Sequence, residues 1–166
     1  MRTFTGILVF ALMLGGVLQG CGYRLAGSSD VGEHLQNVSV NGGRSSTELV
    51  HLTRDYLGSN QVSVVESDDA AMHLDIVSEE VDKEVLTLDA YGKAREYDLV
   101  LSVLFDVKHA DNSEILPRQG IRLNRVLVFD KYDVLGSDEE EQQLLHEMRR
   151  DMAQMIVHRL RAIPPN

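Results

Sequence analysis

Leu18-Gln19-Gly20-Cys21 closes the only long apolar run of a 166-residue chain, and its spacing fits one reaction, acylation of the cysteine thiol. A Leu three positions ahead, a small residue directly ahead and the thiol itself make a bacterial lipobox. Arg2 supplies the positive start, Ile7 to Leu14 the apolar stretch, and Gly15, Gly16 and Gly20 the small residues, so 1–20 reads as a cleaved signal peptide. The apolar segment, roughly 15 residues with glycines inside, falls short of the ~20 that span a bilayer as a helix. Cys21 is the sole cysteine, which rules out an internal disulfide and leaves an exported thiol without another task. The alternative is cleavage elsewhere, with Cys21 an ordinary free thiol. Three acyl chains on Cys21 would exceed the two signals, on the order of two chains, that stable anchoring takes. Asp directly after the cysteine would hold a Gram-negative lipoprotein at the inner membrane. Here that residue is Gly22, which directs the chain to the outer membrane, lipid-anchored on the periplasmic side.

Other reactive constellations are incomplete. Gly-x-Ser-x-Gly, Walker-type and dinucleotide-binding glycine patterns are missing from the sequence. His146-Glu147 begins like a zinc-protease helix motif, but the position of the second ligand is Arg150. The six histidines are scattered singly and suit surface or packing roles better than a metal. Glu79, Glu80 and Asp82 are carboxylates close enough for acid–base work, yet they read as a solvated strand face. The expectation is a non-enzyme with no catalytic residues, no metal and no cofactor. A formal charge of −10, one unit more negative once Arg2 leaves with the leader, removes any global attraction for nucleic acid or an anionic lipid surface. Such a ligand would need a local basic patch.

The elements that would position these residues can be read from pattern. Residues 21–36, with Gly22, Gly27, Ser28, Ser29 and Gly32, form a lipidated N-terminus and flexible tether; 37–163 form a single α/β domain, and 164–166 a short tail. Asn37 to Val40 is a brief strand ended by Asn41-Gly42-Gly43. Ser45 and Glu48 make a capping-box pair opening a helix with Leu49, Leu52, Tyr56 and Leu57 on its apolar face, stopped by Gly58. Gln61 to Val65 reads as a strand parallel to the first. Met72, Leu74 and Ile76 alternate, then the phase shifts across Ser78-Glu79-Glu80 to Val81, which predicts a bulge before the strand resumes to Leu88.

Asp89-Ala90-Tyr91-Gly92 is a turn, after which Tyr97, Leu99, Leu101, Val103, Phe105 and Val107 give the clearest period-two face of the chain. Ala110 to Ser113 turns again into Ile121, Leu123, Leu127 and Phe129, with Arg125 interrupting and Pro117 marking an edge. The other face mixes Val100, Leu104, Val126 and Val128 with Asp98, Ser102, Asp106, Arg122 and Asn124, which suits either solvent or a partner protein. A second capping box, Ser137 with Glu140, opens a long helix whose stripe is Leu145, Met148, Met152, Met155, Ile156, Leu160 and Ile163. The methionines fit a partner groove but suit a core better. The fold class is α+β: a two-layer α/β sandwich, two helices on one face of a mixed four- or five-stranded sheet with a long β-meander.

Cys21-Gly22-Tyr23-Arg24-Leu25, followed by a β-helix-β opening, a long hairpin whose second strand begins with Glu96-Tyr97, an Arg-bearing last strand at Arg125 and a closing helix, resembles the LPS-assembly lipoprotein family, LptE. The resemblance implies an outer-membrane lipoprotein that plugs and helps assemble the β-barrel protein LptD and helps deliver lipopolysaccharide to the cell surface. It also implies basic lipopolysaccharide contacts near the hairpin turn and near the start of the last helix. Lys93 and Arg95 are the candidates at the turn; ordinary turn charge that keeps an edge soluble is their other reading. The second place departs from the pattern, since Ser137 is followed by Asp138, Glu139, Glu140 and Glu141, and Lys131 is the nearest substitute. Arg118, Arg122 and Arg125 extend the basic set, with Arg122 on the opposite face from Arg125. Two rival classes stay open, an outer-membrane lipoprotein adaptor of another envelope complex and an anchored hydrolase.

Overall fold

Long runs of β-branched and alternating apolar residues build the sheet of this computed structural model, which describes residues 35, 37–129 and 134–164. Strand β1 is Val38–Gly42, β2 Met72–Leu88, β3 Ala94–His109 and β4 Glu114–Val128. Their order is β1-β2-β3-β4, with β1 parallel to β2 and the rest antiparallel. Helix α1, Thr47–Ser59, and helix α2, Val134–Arg161, pack into one core with a single face of that sheet. The α+β sandwich therefore has four strands. The expected strand at 61–65 is reduced to one bridge, Val38 to Val64, because Gln61 turns the chain at φ 64 and only Ser63 and Val65 bond to Val38.

Each hairpin is closed by a carboxylate that gathers backbone donors. Asp89 Oδ1 accepts from the N–H of Tyr91 and of Lys93, and Gly92 supplies the positive φ of 76° that the turn requires. At the other turn Asp111 Oδ1 accepts from the Ser113 hydroxyl and N–H, and these bonds hold its carboxyl below the usual carboxylate range. The core strand is as its period predicts: Leu99, Leu101, Val103, Phe105 and Val107 are all fully buried.

The helix ends depart from the expected caps. A short 3-10 turn, Arg44–Ser46, precedes α1, and Ser46 stands at its N-cap with no side-chain cap bond. The Ser46 hydroxyl donates instead to Gly43 O, and Glu48 is drawn away to α2. Gly58 stays inside the helix, which ends at Asn60 and the left-handed Gln61. Helix α2 begins three residues before Ser137, so that serine lies buried within its first turns rather than at a cap. Of the methionine stripe, Met148 and Met152 are fully buried and Met155 is 38% exposed. Leu35, assigned by the sequence to the tether, is 1% exposed within the core.

The two layers differ in length, and this creates the distinctive end of the molecule. Strand β2 has 17 residues and runs about 56 Å, whereas α1 has 13 and runs about 20 Å. Glu48 at the start of α1 bonds Arg149 of α2, and Asn60 at its end bonds Arg161, so α1 lies parallel to the second half of α2 only. Beyond that point α2 alone covers the sheet. Residues Val81–Leu88 of β2 and the turn that follows project past α1.

Candidate functional site

The projecting end begins at a β-bulge. Ile76 pairs with Phe105 and Ser78 with Leu104, leaving Val77 as the extra residue and shifting the inward face from Ile76 to Glu79. Glu79 is thus turned into the protein, with its side chain 2% exposed, and is not part of a solvated face; Glu80 and Asp82 are exposed as expected. Arg149 Nε donates to Glu79 Oε1 at 2.7 Å, Arg149 Nη1 donates to Glu48 Oε2 at 2.8 Å, and His146 Nδ1 lies 2.6 Å from Glu48 Oε1. One guanidinium therefore ties β2, α1 and α2 together at the root of the projection. The other Glu79 oxygen is buried and unpaired.

Past this latch the surface becomes apolar where it would ordinarily be polar. Val81 and Val85 point to the helix side but are 41% and 54% exposed, since α1 does not reach them. Leu86, Leu88, Val126 and Val128 are half-exposed or more, and Tyr91 at the turn is 82% exposed. Lys83 is a cation within this surface. It bonds Glu141 of α2 and lies 4.5 Å from the centroid of the Tyr97 ring, which in turn meets Phe129 edge-on at 6.1 Å. Val81 and Val85 lie on the helix side and Val126 and Val128 on the outer side, so both faces of this end carry exposed apolar residues, as an interaction site does.

Lys93 and Arg95 stand at the tip of that surface, both exposed. Arg95 shares a strand face with Tyr97 two residues on, and its carbonyl accepts from Phe129 N–H at 2.8 Å, which fixes its backbone against the end of β4. Lys131 and Cys21 lie outside the described residues. Arg122 and Arg125 do face opposite ways, as their parity requires. Arg125 turns to α2, where Nη2 bonds Asp151 at 2.9 Å, while Arg122 sits opposite Ser102 on the outer face.

The outer face at the other end of the sheet is a polar ladder. Ser39 Oγ is 2.8 Å from His73 Nδ1, Asn41 Nδ2 donates to Asp75 Oδ1, and Lys108 joins Asp75 to Asp106. Burial pushes the Asp106 carboxyl up, but the hydrogen bonds from Lys108 and Arg118 outweigh it and hold the group below the usual range. The same Asp106 bond, with that to Asp75, raises Lys108. Every charge here has an opposite within reach, so the ladder is structural. Among the described residues no group of three or more His, Cys, Asp or Glu is placed to hold a metal ion. No described helix is long and apolar enough to cross a membrane, which says nothing about strands.

A family model described as LptE, lipopolysaccharide-assembly, matches residues 35–160, from the first described core leucine to the last turn of α2. The chain belongs to the LptE family. Its relatives include the LPS-assembly lipoprotein LptE of Photorhabdus laumondii, 27% identical over 160 residues that cover 96% of this chain and 85% of that one. The LptE of Pectobacterium atrosepticum is likewise 27% identical, covering 98% and 86%. Among solved structures, lipoprotein B of Nitrosomonas europaea aligns with a TM-score of 0.70 at 27% identity, over 85% of this chain and 91% of that one. The rare lipoprotein B of Shewanella oneidensis aligns at 0.65 and 26%, over 76% and 94%. Membership places the chain in lipopolysaccharide assembly, as an outer-membrane lipoprotein family would serve it.

The resemblance implied Lys93 and Arg95, and the sequence offered Val126 and Val128 to a partner, but the exposure of Val81 and Val85 and the latch beside them were not anticipated. The phase shift before Val81 signalled that the inward face changes there, though not which residue would meet Glu79. Placing the bulge at Val77 rather than across 78–80 is what decides that Glu79, and not Glu80, turns inward.

Proposed function

We propose that this LptE-family chain is a non-enzymatic component of the lipopolysaccharide assembly machinery, held on the periplasmic side of the outer membrane by acyl chains on Cys21. Its projecting sheet end seats within the β-barrel LptD, and Lys93 and Arg95 offer charge-assisted donors to lipopolysaccharide phosphates, with Lys131 completing the set. The observation that carries this reading is the coincidence, at one end, of the exposed apolar residues Val81, Val85, Leu88, Tyr91, Val126 and Val128 with two exposed cations on an otherwise acidic chain. A barrel interior buries the first group, and an anionic lipid pairs with the second. An anchored hydrolase is less well supported: Ser39 and His73 are in contact, but Ser39 lies within a paired strand and is 1% exposed.

Lipopolysaccharide binding by the full chain tests the ligand. The double change Lys93→Glu and Arg95→Glu weakens it by about tenfold or more, equivalent to losing roughly 1.4 kcal/mol. Binding left intact by the double charge reversal would remove these residues from the site.

A further inference from the structure

The two edges of the sheet are finished differently. At β1 the Val38 N–H donates to Ser63 O at 2.9 Å and its carbonyl accepts from Val65 N at 3.1 Å. Arg54 Nη2 then donates to Val40 O at 2.7 Å, so the edge is closed along β1, while beyond Ile76 β2 has β3 as its only strand partner among the described residues. The other edge is β4, and among the described residues no strand pairs with its outer side.

Which peptide groups face outward there follows from the register. Phe129 N–H bonds Arg95 O, and the pairing runs unshifted from Glu96–Val128 to Phe105–Gln119, so the odd-numbered residues of β4 bond β3 and the even-numbered ones point away. Two guanidiniums agree with this assignment. Arg159 Nη1 lies 3.3 Å from Gly120 O and Arg125 Nη1 lies 3.4 Å from Asn124 O, both even-numbered carbonyls. The N–H groups of Arg122, Asn124, Val126 and Val128 therefore form an outward row. The only proline of β4 is Pro117, well upstream, so no proline in Ile121–Val128 removes a donor from this row.

We propose that Arg122–Val128 is a strand-docking edge that pairs main chain to main chain with an extended, acidic segment of a partner protein. Mode and sign both come from this edge. Added strands take their affinity from main-chain bonds and their specificity from alternate side chains, here the half-exposed Val126 and Val128 and the exposed Arg122. Strand β4 carries Arg118, Arg122 and Arg125 against Glu114 alone, on a chain of net charge −10. Arg118 and Arg125 already bond Asp106 and Asp151, which leaves Arg122 to meet the incoming carboxylate. A second copy would bring one basic edge against another. The chain's own acid-rich strand, β2, is paired by β3 along its length and by β1 only over Met72–Ile76, so a second copy that offered Ser78–Leu88 to this edge would show as a dimer.

The test uses the full chain in detergent micelles and two synthetic β-prone peptides, one with alternating Glu and a control with Lys at the same positions. Amide exchange read by NMR or mass spectrometry should show the Glu peptide slowing exchange at Arg122, Asn124, Val126 and Val128. Val126→Pro, which removes an outward N–H and no bond to β3, should weaken that peptide at least tenfold while the β3 amides keep their protection. Arg122→Glu, which leaves the backbone intact, should reverse the preference toward the Lys peptide. Equal binding of both peptides, or undiminished binding to Val126→Pro, overturns the proposal. So does protection of the four amides without peptide, which at monomer size means an own segment occupies the edge and at dimer size a second copy.

Discussion

Glu79 and Arg149 show how a single buried charge pair can set the geometry of a working surface. Placing a carboxylate in a core is costly, and Arg149 offsets that cost through bonds to both Glu79 and Glu48. Truncating the cation alone leaves Glu79 without its partner, so Arg149→Met should lower stability to urea by about 3–5 kcal/mol. Replacing both, as Glu79→Leu with Arg149→Met, should recover most of that loss, since an apolar pair suits the site. If the single change proves neutral in urea unfolding, the latch has no part in holding the helices on β2. The identities of these residues were plain in the sequence, but not their meeting. They stand 70 residues apart, and the sequence gives no local cue for that contact.

At the scale of elements, patterning was most readable where one face is fully buried. The period-two run of β3 from Leu99 to Val107 and the apolar stripe of α2 apart from Met155 met the core as expected, because burial enforces their phase. Short elements with competing bonds were harder. Ser46 and Thr47 both turn their hydroxyls back to carbonyls three residues earlier, and this 3-10 start displaced the capping box expected at Ser45. The close approach of β1 to α1 is equally local. A Cβ at Gly42 would stand 2.6 Å from Ser46 Oγ and 2.7 Å from Val50 Cγ2, whereas one at Gly43 meets nothing within 4 Å. Gly42→Ala should therefore cost about 1–3 kcal/mol in thermal or urea unfolding, as overpacking does. Gly43→Ala is expected to be neutral or stabilising by up to about 1 kcal/mol, because its backbone is already extended. Equal effects at the two glycines would contradict the packing described.

For the molecule as a whole, what matters is the mismatch between a long sheet and a short first helix. Four elements contribute to one end: β2 and β3 supply the projecting hairpin, β4 an open edge, and α2 the only helical cover among the described residues. That design was partly legible, since the strand lengths could be counted; the uncovered patch could not, because it depends on where α1 lies along α2. The opposite end is polar and internally paired through Asp75, Lys108, Asp106 and Arg118. The account therefore gives the molecule a docking end and a self-satisfied end. Site-specific photo-crosslinking in cells separates them most directly, with a crosslinking residue at Val85 or Tyr91 compared with one at Ser67 or Asp111. Crosslinks to LptD from the first pair and none from the second are the predicted result. Crosslinks from Ser67 or Asp111 with none from Val85 or Tyr91 would contradict the central claim.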